Sequence, residues 1–164
     1  MKKEEILEKV GFDLDKAKQI YAWLTETTTT PAVNENNTIC PTDIVTAYEH
    51  DGAKYVRVHV GKYDFCIDLH DADKEMNWDE ANKYAADKGM RLFTLEEGLL
   101  MFCFKDEINA MMKQLGGDEL CEDDACWSST ETGRTLARYV NFGHGHAGSN
   151  YKYTGYVVRP VAAF

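Results

Sequence analysis

Residues 76–97 read MNWDEANKYAADKGMRLFTLEE and carry the start signals of two helices. Asn77 with Glu80 three residues later is a capping box, so a helix starts there. Trp78, Ala81, Tyr84 and Ala85 give it an apolar face, and Gly89 is a C-terminal stop. Thr94 with Glu97 is a second capping box. The helix it opens runs to Leu115 and ends at Gly116-Gly117. Leu99, Leu100, Phe102, Cys103, Phe104, Ile108, Met111 and Met112 make this second helix apolar on several sides, which predicts a central, buried position.

Strand patterns flank the helix pair. Residues 54–60 (KYVRVHV) alternate strictly, with Val56, Val58 and Val60 on one face. Gly61-Lys62 is a turn and residues 63–69 (YDFCIDL) return, which predicts a hairpin. After the helices come an acidic loop, Asp118 to Asp124, and three short strand-like pieces, Cys126–Ser129, Arg138–Phe142 and Tyr156–Val161. Between the last two lies a loop, GHGHAGSNYKYTG (143–155). No internal repeat is visible. A hairpin, two helices and then strands predict an α+β fold with two helices packed on a twisted antiparallel sheet. Upstream, residues 2–10 and 13–24 read as short helices separated by Gly11, and residues 25–42, rich in Thr, Asn and Pro, read as a linker. Such a piece is too small to fold alone and is expected to dock or to mediate assembly. The division is a helical extension and linker at 1–42 and a main domain at 43–164.

The 164 residues suit one domain with a small appendage. Hydrophobic residues at 44%, charged residues at 28% and an aromatic share of 12% exclude a mainly disordered chain. The net charge of −10 disfavours a nucleic-acid partner, since phosphate binding needs a basic face. From Trp127 onward there is one acid (Glu131) against four bases (Arg134, Arg138, Lys152, Arg159), a net of +3, so the first 126 residues carry −13. No apolar run is long enough for a membrane span. The start, MKKEEILEKV, lacks the apolar core of a signal peptide. The expected location is the cytoplasm where the chain is made, with a virion or cell surface as its destination if it leaves without a cleaved signal. The five cysteines are odd in number and form no CxxC pair, which disfavours zinc. They are read as buried free thiols, with a Cys121–Cys126 bridge as the alternative for an exported protein.

Residues 76–97 resemble the paired-helix opening of C-type lectin-like domains of the formylglycine-generating-enzyme branch. Arg91-Leu92-Phe93-Thr94 stands where that family has a Leu-Pro-Thr-like turn, with Phe93 in place of the usual Pro. CWSSTE (126–131), ARYVNF (137–142) and YVVRPVAAF (156–164) resemble three later motifs of the branch in the same order, so the resemblance covers residues 52–164. The ending, a hydrophilic loop before VRPVAAF, is similar to the variable proteins of diversity-generating retroelements of phages and gut bacteria. That resemblance implies a C-type lectin-like scaffold whose last strands and loops display a diversified ligand-binding surface. Adenine mutagenesis there turns template Asn codons into Tyr, Ser, His, Gly, Thr and Arg, the residue types that fill this loop.

The residues themselves point the same way. Tyrosines give large contact area at small entropy cost, Ser and Asn give adaptable hydrogen bonds, and arginines anchor carboxylates or rings. The expected ligand-binding residues are Glu131, Arg134, Arg138, His144, His146, Ser149, Asn150, Tyr151, Tyr153 and Tyr156. The expected partner is a protein or glycan on another cell or particle, with homo-oligomers through residues 1–42 as a further expectation. Two other functions stand beside this one. One is a structural or assembly component of a phage or surface appendage. The other is a metal-dependent enzyme using His144 and His146, with Glu131 as a third ligand. Neither catalysis nor a metal or other cofactor is expected. No cysteine pair follows Cys126, so the formylglycine-generating activity does not carry over, and Ser128 and Ser129 lack a Gly-x-Ser-x-Gly elbow. The acidic loop lacks EF-hand spacing. Trp78 and Trp127 are expected in the core, and Arg159 is expected to turn inward onto an acid and hold the last strand.

Overall fold

The computed structural model describes residues 44–120 and 125–163. The expected extension and linker at 1–42, Cys40, Cys121, most of the acidic loop and Phe164 lie outside the described residues. In chain order the elements are β1 (Val45–His50), β2 (Ala53–Val60), β3 (Tyr63–Asp68), α1 (Trp78–Asp87), β4 (Arg91–Leu92), α2 (Leu95–Cys103), α3 (Lys105–Leu115), β5 (Ala125–Gly133), β6 (Leu136–Asn141), β7 (His146–Tyr151) and β8 (Pro160–Ala162). They form an α+β protein with two antiparallel sheets, ordered β1-β2-β3-β8-β4 and β5-β6-β7.

The expected hairpin is β2–β3, paired from Val60↔Tyr63 to Tyr55↔Asp68. Val56, Val58 and Val60 are buried, and each stabilises the fold by about 1.5–3 kcal/mol relative to an exposed valine. A strand absent from the sequence reading precedes it. β1 pairs with β2 through Asp51-Gly52, whose φ angles of 49° and 79° are the left-handed pair that a two-residue hairpin turn demands.

Both capping boxes form. The Asn77 side chain accepts from the Glu80 N–H at 3.0 Å, and that of Thr94 from the Glu97 N–H at 3.2 Å. Glu97 is buried and accepts from the two terminal guanidinium nitrogens of Arg91 at 2.6 and 2.7 Å, which ties β4 to the start of α2. The single long helix expected over 94–115 is instead two, α2 and α3, hinged at Phe104 (φ −108°, ψ 25°). The hinge serves burial: α2 is buried around most of its circumference, whereas α3 turns only Ile108 and Met112 fully inward. α3 ends at Gly116 in the left-handed region, as the glycine pair predicts.

The main core lies between the helices and both sheets and joins Phe65, Ile67, Phe93, Leu100, Met101, Ile108, Val140 and Phe142. A second cluster gathers Ala81, Ala85, Leu92, Trp127 and Val158. Trp127 is fully buried and donates from Nε1 to the Met76 carbonyl at 3.0 Å. Trp78 is half-buried and donates to the Ser128 carbonyl at 2.8 Å. Between Tyr156 and Val161, read as one strand, only Pro160–Ala162 is β8. Tyr156 makes a single bridge to Met76, and Val157 makes one to Cys126 of β5, which ties the approach to β8 to the second sheet. Cys66, Cys103 and Cys126 are buried.

Candidate functional site

The loop expected over 143–155 has a strand, His146–Tyr151, at its centre. β7 pairs with β6 from Leu136↔Tyr151 to Asn141↔His146. HAGSNY has no apolar alternation because neither of its faces is deeply buried along its length, and its register is set by the backbone and by one packing device. A side chain at Gly148 would put its Cβ 2.5 Å from the Tyr139 hydroxyl. Gly145 closes the preceding turn at φ +62°, where a Cβ would meet the Phe102 ring at 2.4 Å.

Directly paired residues of an antiparallel ladder share a face. One face therefore carries Tyr139/Gly148, Ala137/Asn150 and Asn141/His146, and the other carries Arg138/Ser149, Leu136/Tyr151 and Val140/Ala147. Val140 and Ala147 pack into the main core, which leaves the Arg138 end of that second face beyond the helices' cover.

Nine of the ten residues expected as one site fall into three groups, and Glu131 stands apart from them. His144, in the turn rather than on a strand, and His146, at the start of β7, line an open depression of about 420 Å³ with Tyr156, Tyr139, Asn141 and Glu75. Tyr156 is partly a packing residue, 4.7 Å from Trp127 and 5.0 Å from Tyr139 between ring centres. Asn150 supports it, donating to its hydroxyl at 2.7 Å. Arg134, at the β5–β6 turn, lines a second depression of about 310 Å³ with Tyr153, Asn77, Asp79, Thr135 and Lys152. Arg138 and Ser149 occupy the second sheet face, where the Ser149 hydroxyl meets that of Thr132 at 3.2 Å. Tyr151 continues this group, and its ring stacks on that of Tyr153 at 5.1 Å and 9°. These two tyrosines are 49% and 77% exposed, the exposed large hydrophobics among the described residues. Glu131 is engaged within the molecule by the Lys152 ammonium, which also sits 4.1 Å above the Trp78 ring.

The arginines divide sharply. Arg57 grips Asp64, Arg91 grips Glu97 and Arg159 grips Asp71, each within 2.7 Å. Arg134 and Arg138 have no carboxylate partner among the described residues. Among those residues, no three His, Cys, Asp or Glu side chains come together in a group that could hold a metal. The sequence reading missed Glu75, Asn77, Asp79, Thr132, Thr135, Tyr139 and Asn141. Asn77 and Asp79 reach the surface from the start of α1, far away in sequence, and only the tertiary fold brings them there.

Compared with known proteins, the chain matches no family model and no curated protein sequence. Among the described residues no helix is long and apolar enough to cross a membrane.

Proposed function

We propose that this chain is a non-catalytic binding protein on a C-type lectin-like scaffold. The β5–β6–β7 sheet and its turns present the contact surface to a protein or glycan on another cell or particle. The observation that carries the reading is the state of the arginines. A folded protein leaves a guanidinium without a carboxylate at little cost only where water or a ligand can serve it. Of the two without a carboxylate, Arg134 lines one depression with Tyr153, and Arg138 shares a sheet face with Tyr151, whose ring stacks on that of Tyr153. Aromatic anchors beside arginines are the composition of interface hot spots. The surface rests on a sheet fixed by Trp127, Tyr139 and the glycines under it, so contact orders few groups and costs less entropy.

Glycan and cell-surface protein arrays probed with the full chain and with a Tyr151→Ala/Tyr153→Ala/Arg134→Ala variant test this. Selective binding by the parent, lost in a variant of unchanged melting temperature, is the expected result. Binding that survives the triple change, or no selective binding by the parent, overturns it. Diversification of the same surface has its own test in the DNA beside the gene. A near-copy of the 3′ end, mismatched at adenines over codons 130–156, is the expected finding, and the lack of any such copy overturns it.

A further inference from the structure

Among the described residues β7 is an edge strand; its inner neighbour β6 carries Arg138 opposite Ser149, and Arg134 lines a depression with Lys152 and Tyr153 at its end. The Lys152 N–H donates to the Thr135 carbonyl at 2.9 Å, in register with the β6–β7 ladder, which fixes the alternation of that ladder. Residues 146, 148 and 150 direct their backbone groups at β6, so those of Ala147, Ser149 and Tyr151 point outward. Tyr151 is already satisfied, its N–H by the Asn150 side chain at 2.8 Å and its carbonyl by the Thr154 N–H at 2.9 Å. Ala147 and Ser149 therefore offer two N–H and two C=O groups with no partner among the described residues.

Native edges are usually blunted by lysine, proline or a bulge. HAGSNY carries none of these within the strand. Its middle residues are small, so another backbone can approach. A strand added there lies roughly 10 Å from β6. From β6 the long Arg138 side chain can reach over the short Ser149, which shares its face. Of the bases after Trp127, Lys152 is tied to Glu131 and Arg159 to Asp71, which leaves Arg134 and Arg138 as unneutralised charge on an otherwise acidic protein. Of the other edge strands, β1 lies beside Arg57, which is held by Asp64, and β4 carries Arg91, which is held by Glu97.

Resting on the binding reading above, we infer that the occupant is an acidic, extended peptide segment of a partner protein. It adds as a strand to the edge of β7, with carboxylates on Arg138 and Arg134 and an apolar side chain against the Tyr151–Tyr153 stack. Main-chain bonds supply affinity in this mode and side chains supply selectivity.

Selection of the full chain against a random dodecapeptide display library tests the inference. Enriched peptides are expected to alternate acidic with apolar or aromatic residues. A synthetic winner is expected to lose tenfold or more in affinity against Arg138→Ala, and as much when its alternate amides are N-methylated. Ser149→Pro removes an outward N–H together with the exposed hydroxyl contact to Thr132, and is expected to weaken binding by a similar factor with the unfolding transition unchanged, whereas Ser149→Ala, which removes the hydroxyl alone, is expected to bind as the parent does. Methylated peptides that bind as well as the parent overturn strand addition, a result that does not depend on any variant folding. Winners without acidic enrichment overturn the charge assignment. No winners, alongside selective binding on the glycan array that depends on Arg134 and Tyr153, overturns the peptide inference and leaves the binding function standing. Silence on every panel overturns both.

Discussion

Arg159 and Asp71 form an ion pair inside the protein: Arg159 Nε donates to Asp71 Oδ1 at 2.6 Å, and the guanidinium is wholly buried. Its other nitrogens donate to the carbonyls of Asp68, Leu69, Asp118 and Glu119 at 3.1–3.2 Å. One side chain thus fastens the approach to β8 to the end of β3 and to the chain leaving α3. Arg159→Met removes the charge and these donors together and leaves Asp71 and four carbonyls short of partners. The expected cost is about 3–5 kcal/mol, the range for breaking a buried pair. At about 2–4 °C per kcal/mol for a chain of this size, the melting temperature falls by about 10 °C. Calorimetry checks this, and a fall under about 3 °C contradicts the clamp.

On the outer face of β2 and β3 a second pair sets an acid limb of stability. Hydrogen bonds from Arg57 hold the Asp64 carboxyl down to about 2 from its ordinary 3.8, and His59 at 3.2 Å adds to the effect. A depressed carboxyl pKa contributes stability that is fully present above the unfolded value of 3.8 and is lost as pH falls toward 2. The pair is partly exposed and screened by solvent, so its share is about 1 kcal/mol or less. Urea titrations at pH 5, 3.5 and 2.5 are expected to show a shallower decline for Asp64→Asn than for the parent across that window. Parallel declines refute the assignment.

What the sequence disclosed followed the range of the interactions. The capping boxes at Asn77 and Thr94 close within three residues, so they are readable without knowing the fold. The buried valines of β2 and the inward turn of Arg159 were legible for a related reason, since apolar alternation and a lone base in an apolar strand each imply a side. β1 was missed although Asp51-Gly52 marks its turn, because VTAYEH shows no apolar alternation and takes its strand form from pairing with β2. The break at Phe104 has no Pro or Gly to announce it. The candidate site was legible in composition but not in geometry. Strand side chains alternate, so the neighbours Ser149 and Asn150 go to opposite faces, and a site read as one run of residues divides in space.

The cysteines give a chemical check on the core. Burial pushes the Cys66 thiol up to about 11, and Cys103 and Cys126 are buried with it. Thiolate is the reactive form, so these three are expected to resist iodoacetamide at pH 8 in the native protein and to react in urea. Peptide mapping by mass spectrometry separates them from Cys40 and Cys121. Labelling of Cys66 or Cys126 in buffer within the time of the urea control contradicts the packing around them.

A contact surface that can vary must be separable from the scaffold beneath it, and the sheet makes that separation testable. Thr132, Arg134, Ser149, Tyr151 and Tyr153 are all exposed, and the contacts among them are mutual: a hydroxyl pair and a ring stack. Changing all five to Ser or Ala removes no core volume, so the melting temperature is expected to move by no more than about 3 °C, as surface changes do. The residues between them are a different matter. Gly145→Ala must hold φ near +62° and drive a Cβ to 2.4 Å from the Phe102 ring, and Gly148→Ala meets the Tyr139 hydroxyl at 2.5 Å. Overpacking of this kind costs about 1–3 kcal/mol per site. A display library randomised at the five exposed positions is therefore expected to keep most of its members resistant to protease, and one randomised at Gly145 and Gly148 to lose most of its members. Equal survival would mean that β7 is not held against Tyr139 and Phe102, and the rigid support argued for the binding surface would fall with it.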